Sequence, residues 1–220
     1  MLFERLIAIH DPAPHRAALN MAIDEVLLAD AREPVLRLYR WERPAVSFGY
    51  FGKIAAIEAA WPGREFVRRM TGGGAVPHGS DLTYSIIVPA AHPFAHRSPR
   101  EIYRAVHETV AGVLRSAGLM PALAGEPVAA ATGVCFESPV EFDLLAEGRK
   151  VAGAAMKRTR SGLLIQGSVQ EIPGPDRIRE RFAGAFGSHV VAAELSSAVL
   201  AAAESLAETK YGTAEWAARH

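Results

Sequence analysis

Residues 68–85 read RRMTGGGAVPHGSDLTYS. Three consecutive glycines suit neither a helix nor a strand interior, because glycine loses more backbone freedom on folding than any other residue, roughly 0.5–1 kcal/mol relative to alanine. Such a run marks either a turn that other residues cannot adopt or a close approach of the backbone to something else. Two arginines precede it and a histidine follows it. The pattern is that of a ligand loop with exposed amide donors and a cationic edge; an ordinary glycine-rich turn is the competing reading.

Outward from this loop the pattern alternates between strand and helix. VLRLY at 35–39, AVSFG at 45–49, EFVRR at 65–69 and LTYSIIVP at 82–89 are short β-like runs, so the loop is expected to join two strands. Residues 15–31 carry Leu19, Ala22, Ile23, Val26 and Leu27 at helical spacing. Asn20 and Asp24, four apart, share an adjoining face, and Pro34 blocks continuation. Ser98-Pro99-Arg100-Glu101 is a capping-box helix start, and Gly118 is a natural stop. EFDLLA, a Glu147-Gly148 turn, RKVAGAA and LLIQGSV predict a hairpin and a third strand of one sheet. Two helices are expected from about 176: DRIRERFAGAF, and an alanine-rich segment near 192–209. Strands in groups with helices between them predict an α/β (mixed α+β) domain rather than a doubly wound parallel one. A single domain over 1–220 with a short helical C-terminal segment is the expected organisation.

The composition narrows the function classes. Half the residues are hydrophobic and 22% are charged, as in a folded protein with a sizeable core. Lys plus Arg and Asp plus Glu are both 24, so bulk electrostatics give no support for nucleic-acid binding. No apolar run approaches the roughly 18–20 residues needed to span a membrane. The first ten residues, MLFERLIAIH, lack a secretory layout, and a cytoplasmic location is expected. One cysteine excludes a disulfide framework within the chain and any multi-cysteine zinc site. The histidines show no metal-ligand spacing, so no metal is expected.

Chemistry has three candidate centres. Cys135, in GVCFESP, is the only thiol; a lone cysteine is often just a small buried hydrophobe, but loop surroundings and a downstream lysine suit a reactive thiolate. Lys150 follows at the next hairpin, with the small residues Gly153, Ala154 and Ala155 leaving room for a ligand; a solvent-exposed lysine is the bland alternative. His78 follows the glycine loop and has the chemistry to donate to a carbonyl or a phosphate. Trp41, Trp61 and Trp216 are expected to serve in packing.

Three separated segments, NMAIDEVLL at 20–28, the 68–85 loop and GRKVAGAAMKR at 148–158, resemble the biotin/lipoate A/B protein ligase superfamily in order and spacing, over roughly residues 1–170. The resemblance implies a mixed β-sheet flanked by helices, of the class II aminoacyl-tRNA synthetase and biotinyl protein ligase type. It makes Arg69, Thr71, Gly72, Gly73, Gly74, Ala75 and His78 an acyl-binding loop, Lys150 the signature basic residue, and Gly153 and Ala154 part of the substrate wall. VCFESPVEFDLLAEGRK resembles the nucleophile region of the cysteine-dependent octanoyltransferases, which places Cys135 as nucleophile. The compact PHGSDLTYS also resembles that branch. A departure is Ile165-Gln166-Gly167-Ser168, where the transferases tend to show Q-H-G-S.

The resemblance implies transfer of an octanoyl or lipoyl group to a lysine of a lipoyl carrier domain, of the glycine cleavage H protein or dehydrogenase E2 type. The donor would be octanoyl acyl carrier protein, with no cofactor, no nucleic acid and no membrane involved. The acyl tail would lie against the glycine loop and the 150–155 strand. At about 0.8 kcal/mol per buried methylene, such a tail contributes roughly 5 kcal/mol. The alternative is an ATP- and Mg-dependent lipoate–protein ligase, whose accessory domain is then expected on a separate chain. A non-catalytic lipoate binder is the third reading.

Overall fold

A computed structural model describes residues 1–125, 139–171 and 175–219, with side chains of the last segment from residue 178. In chain order the elements are β1 (Phe3–His15), α1 (Ala17–Asp30), β2 (Val35–Trp41), β3 (Ala45–Phe48), α2 (Ile54–Ala60), β4 (Glu65–Arg68), β5 (Val76–His78), β6 (Leu82–Pro89), α3 (Pro99–Ser116), β7 (Ala122–Leu123), β8 (Leu144–Ala146), β9 (Arg149–Arg158), β10 (Gly162–Val169), α4 (Pro175–Phe186), β11 (Gly187–Ala193), α5 (Ser197–Leu206) and α6 (Ala214–Ala218). Among the described residues, eight strands form one sheet in the order β11-β1-β2-β6-β10-β9-β8-β7, and β4-β3-β5 form a second, small sheet. β1 pairs parallel with both β2 and β11, whereas β2, β6, β10, β9 and β8 pair antiparallel in turn. The sheet is therefore mixed, as the grouping of strands predicts.

The central strands β6 and β10 are buried along their whole length, because each has strands on both sides and helices over both faces. Alternation assigns their side chains to two layers. Tyr84, Ile86, Val88, Leu163 and Ile165 pack with Ile102, Val106 and Val110 of α3 and Phe182 of α4. Ile87 and Leu164 pack on the other face with Ala22 and Ile23 of α1 and Ala203 of α5. On that second face the strands also carry Thr83, Ser85, Gln166 and Ser168, all buried. Polar side chains on a buried face need partners, and theirs form the site described below.

Several local predictions hold. α1 buries Leu19, Ala22, Ile23 and Leu27, with Val26 at its margin. Ser98 and Glu101 make both bonds of the capping box at the start of α3. Glu147 and Gly148 both have positive φ, 51° and 76°, the two-residue turn that matches strand twist in a hairpin. Others needed correction. The glycine loop does not run directly from β4 into β6, because β5 intervenes and pairs with β3. The 141–146 strand begins only at Leu144, after a turn with Phe142 at φ 71°. The C-terminal region is not two helices alone; β11 separates them and extends the sheet beside β1. No helix among the described residues is long and apolar enough to cross a membrane.

Candidate active site

One cavity of about 160 Å³ opens where the small sheet meets β9 and β10. Gly73, Gly74, Ala75 and Val76 of the glycine loop wall one side, Gly153, Ala154 and Ala155 of β9 another, and Met21, Tyr39 and Trp41 complete the apolar lining. Arg69, His78 and Lys150 also border it. Thr71 does not border it but hydrogen-bonds to Gln166, which does. Cys135 lies outside the described residues. Every other candidate named from the sequence, apart from Thr71 and Gly72, thus lines one space, although Arg69 and Lys150 are eighty-one positions apart.

The loop is held from within. Arg69 is buried, and its guanidinium donates to the carbonyls of Gly72 at 3.0 Å and Gly74 at 2.9 Å. It also donates to Ser47 Oγ at 2.8 Å and Thr71 Oγ1 at 3.3 Å. Arg69, part of the cationic edge seen in the sequence, is therefore turned inward, where it shapes the loop. Gly73, at φ 84°, makes the turn that this clasp needs. Gly49, which the sequence did not single out, allows the loop to lie against the end of β3; a Cβ there would come within 2.7 Å of the carbonyl carbons of Gly72 and Gly73.

Lys150 is not the exposed hairpin lysine of the bland alternative. Its side chain is 10% exposed, and Nζ sits 2.8 Å from Asp143 Oδ2 in an ion pair whose carboxylate is buried. Gly153 makes room for this pair: an added Cβ would meet Lys150 Cε at 2.7 Å and Asp143 Oδ1 at 2.9 Å. Asp143 also accepts from the Val140 amide at 2.8 Å, which ties segment 139–143 to the lysine.

A chain of hydrogen bonds borders the cavity floor. Fully buried Arg37 bonds Asp11 at 2.7 Å and Asp24 at 3.0 Å, as well as the Asn20 side chain at 2.7 Å. Burial opposes charge on Asp11, but His15 and Arg37 outweigh it and hold its carboxyl below the usual carboxylate range. Asp24 accepts from Ser85 and, at 2.8 Å, from Gln166 Nε2; Gln166 Oε1 accepts from Thr71 at 2.8 Å. The Asn20 and Asp24 pair, on one face of α1 as its spacing requires, is thus the anchor of the site. Where a histidine was expected before Gly167, Gln166 joins α1 to the glycine loop.

His78 is the most constrained ring in the site. It stacks on Trp41 with centroids 4.0 Å apart and planes 16° apart. Trp41 therefore serves as a stacking platform, contrary to the expectation that the tryptophans only pack. Nδ1 lies 2.9 Å from Asp81 Oδ2, and Nε2 lies 2.6 Å from Ser47 Oγ. Asp81 also accepts from Gly79 N, Thr83 Oγ1 and Ser168 Oγ. Burial pushes its carboxyl up, but His78 and these hydroxyls outweigh burial and lower it from 3.8 to about 2. Ser47, Asp81 and Asp143 were not marked in the sequence, and Gln166 and Ser168 stood out only as a departure from the Q-H-G-S of the transferases. Only the spacing of His78 and Asp81, three apart after a glycine loop, was a usable signal. Among the described residues no group of three His, Cys, Asp or Glu side chains is placed to hold a metal ion.

Comparison with known proteins gives a consistent picture. The model of the lipoyl protein ligase A/B catalytic domain matches residues 16–170. The chain is 37% identical over 201 residues to octanoyltransferase LipM of Kyrpidia tusciae, covering 80% of this chain and 73% of that one. It is 37% identical over 171 residues to octanoyltransferase LipM of Oceanobacillus iheyensis, covering 74% and 63%. The match thus spans between 63% and 73% of these relatives' own length. In fold it is similar to a lipoate-protein ligase A bound with ATP, with a TM-score of 0.75 at 22% identity over 99% of this chain and 98% of that one. It is similar too to the bi-partite lipoate protein ligase of Thermoplasma acidophilum, with a TM-score of 0.74 at 20% identity over 98% and 96%.

Proposed function

The chain belongs to the lipoyl protein ligase A/B catalytic-domain family, and from that premise we propose that it is an octanoyltransferase, moving an octanoyl group from octanoyl acyl carrier protein to the ε-amine of a lysine on a lipoyl carrier domain. The observation that carries this reading is the cavity itself. It joins an apolar wall of Gly73, Ala75, Ala154, Ala155 and Met21 to the ion pair of Lys150 with Asp143. A hydrocarbon tail gains from the wall at about 0.8 kcal/mol per methylene. An acyl carbonyl placed at its polar end meets the Lys150 ammonium, a donor suited to the oxyanion of acyl transfer. The relatives named octanoyltransferase support the eight-carbon chain.

In this mechanism the Cys135 thiolate attacks the donor thioester and the carrier thiol leaves. The acceptor amine then attacks the Cys135 thioester, forming the amide and freeing the cysteine. No cofactor is required, because the acyl group arrives already activated.

Mass spectrometry after incubation with octanoyl acyl carrier protein tests the reading. The parent chain is expected to gain one octanoyl group, and Cys135→Ala none. A gain that survives in Cys135→Ala, or never appears in the parent, removes the thioester. Transfer from free lipoate that requires ATP, with Cys135→Ala fully active, would assign the chain to the ATP-dependent ligases instead.

A further inference from the structure

Amide formation leaves one problem that the acyl-binding groups do not address. The acceptor lysine must lose a proton as its nitrogen bonds to the carbonyl carbon, and a base positioned for this contributes typically 10²–10⁴-fold. Lys150 is engaged at 2.8 Å by buried Asp143, an arrangement that suits it to hold negative charge on the carbonyl oxygen. The other polar group built to move a proton at the cavity is Ser47 with His78 and Asp81 behind it. Ser47 and His78 both border the cavity.

The hydrogen-bond inventory determines the direction of transfer. Asp81 is acceptor-only when ionised, so the proton of the neutral His78 ring lies on Nδ1, 2.9 Å from Asp81 Oδ2. Nε2 is then an acceptor, and the Ser47 hydroxyl donates to it at 2.6 Å. Among the described residues Ser47 Oγ accepts one bond, from Arg69 at 2.8 Å, and a hydroxyl oxygen has a second lone pair with which to accept from an amine in the cavity. Stacking on Trp41 fixes the ring plane, and Asp81, kept ionised by its three other donors, is placed to stabilise an imidazolium.

We propose that Ser47, His78 and Asp81 form a proton relay that deprotonates the acceptor lysine amine during amide formation. As the C–N bond forms and the C–S bond of the acyl thioester breaks, the amine proton passes to Ser47 Oγ. The Ser47 proton passes to His78 Nε2, and the sulfur leaves as thiolate. The imidazolium then returns its proton to the thiolate or to solvent. Ser47 is the group that meets the amine; His78 acts through it, and Asp81 orients His78.

This inference rests on the transfer reading, and the experiment separates the two. Enzyme-dependent octanoyl transfer is measured with the full chain and two acceptors, a lipoyl-domain lysine and hydroxylamine, whose weakly basic nitrogen is unprotonated at neutral pH and whose adduct gives up its proton directly to water. In His78→Gln and Ser47→Ala the loss with the lysine acceptor is expected to exceed the loss with hydroxylamine by 10²–10⁴-fold, whatever loss of acyl binding the two reactions share. Equal losses with both acceptors in Ser47→Ala, or full lysine transfer in either variant, would overturn the relay. Should His78→Gln fail to fold, Ser47→Ala decides alone, because it removes one hydroxyl and leaves the Trp41 stack in place. If the parent chain transfers octanoyl to neither acceptor, the function reading falls instead.

Discussion

Replacing Gly49 by alanine should damage the site more than replacing a glycine of the triplet itself. The added Cβ would lie 2.7 Å from the carbonyl carbons of Gly72 and Gly73 and would overlap the Gly73 carbonyl oxygen. Carbon atoms pack best at about 3.5–4.0 Å, so the loop must retreat by roughly 1 Å. Its clasp to Arg69, at 3.0 and 2.9 Å, then stretches well beyond hydrogen-bond range. Losing two bonds to a charged donor, partly recovered by relaxation, costs about 3 kcal/mol, and in a chain of this size lowers the unfolding midpoint by about 6–12 °C. A misplacement of about 1 Å in a positioning loop also costs on the order of 10²-fold in rate. At Gly72 an added Cβ meets nothing within 4 Å, so Gly72→Ala should fold normally. Gly73→Ala should fall between them: its Cβ has ordinary contacts at 3.5 Å, but φ of 84° imposes a penalty of about 1–2 kcal/mol. Calorimetry and octanoyl transfer rates on the three variants give the order. An unperturbed Gly49→Ala beside an unstable Gly72→Ala would refute the geometry.

Four further outcomes are expected. Arg37→Met strands the buried carboxylates of Asp11 and Asp24 and should cost about 3–5 kcal/mol in urea unfolding; a change below about 1 kcal/mol would show that the network does not depend on it. Gln166→Leu leaves Thr71 and Asp24 short of a partner and should cost about 1–3 kcal/mol, with a raised KM for the acyl donor; unchanged stability and KM would contradict the anchor role. Burial lowers the His107 ring from 6.5 to about 4, so its contribution is complete above pH 6.5 and is lost as pH falls towards 4, by up to about 3 kcal/mol; urea titrations of His107→Leu should lack that decline, and a parallel decline would refute it. Asp81 contributes above its unfolded value of 3.8, and this is lost as pH falls to about 2; Asp81→Asn should flatten the stability curve in that acid window, and an unaltered slope there would count against the depressed carboxyl.

How legible each part was depended on how local its cause is. The capping box of α3 joins residues three apart, and the β8–β9 turn is two residues long, so both are complete statements in the sequence. β1 and β11 are different. β1 does not alternate regularly between buried and exposed residues, with Asp11, Pro12 and Pro14 interrupting the period, and its parallel partner β11 lies at the other end of the chain. Neither has a turn linking it to its neighbour that could announce the pairing. α2 is only seven residues long and packs just Ile54 and Ile57, partly buried, against the small sheet, too short a run to show a helical period.

By itself the sequence determined the order of most strands and helices, the glycine loop, and, through three spaced motifs, the residues that gather around one cavity. The tertiary structure decided what those residues do there. It turned Arg69 inward to shape the loop, buried Lys150 against Asp143, placed Trp41 under His78, and assigned Gln166 to join α1 to the loop. The physical reason is distance along the chain. A helical period or a cap is satisfied within a few residues, whereas Ser47 and His78 are 31 positions apart, Thr71 and Gln166 95, and Asp24 and Gln166 142. Buried polar groups must find partners wherever the folded chain supplies them. The chemistry of this cavity is therefore set by which of its hydrogen bonds the fold completes.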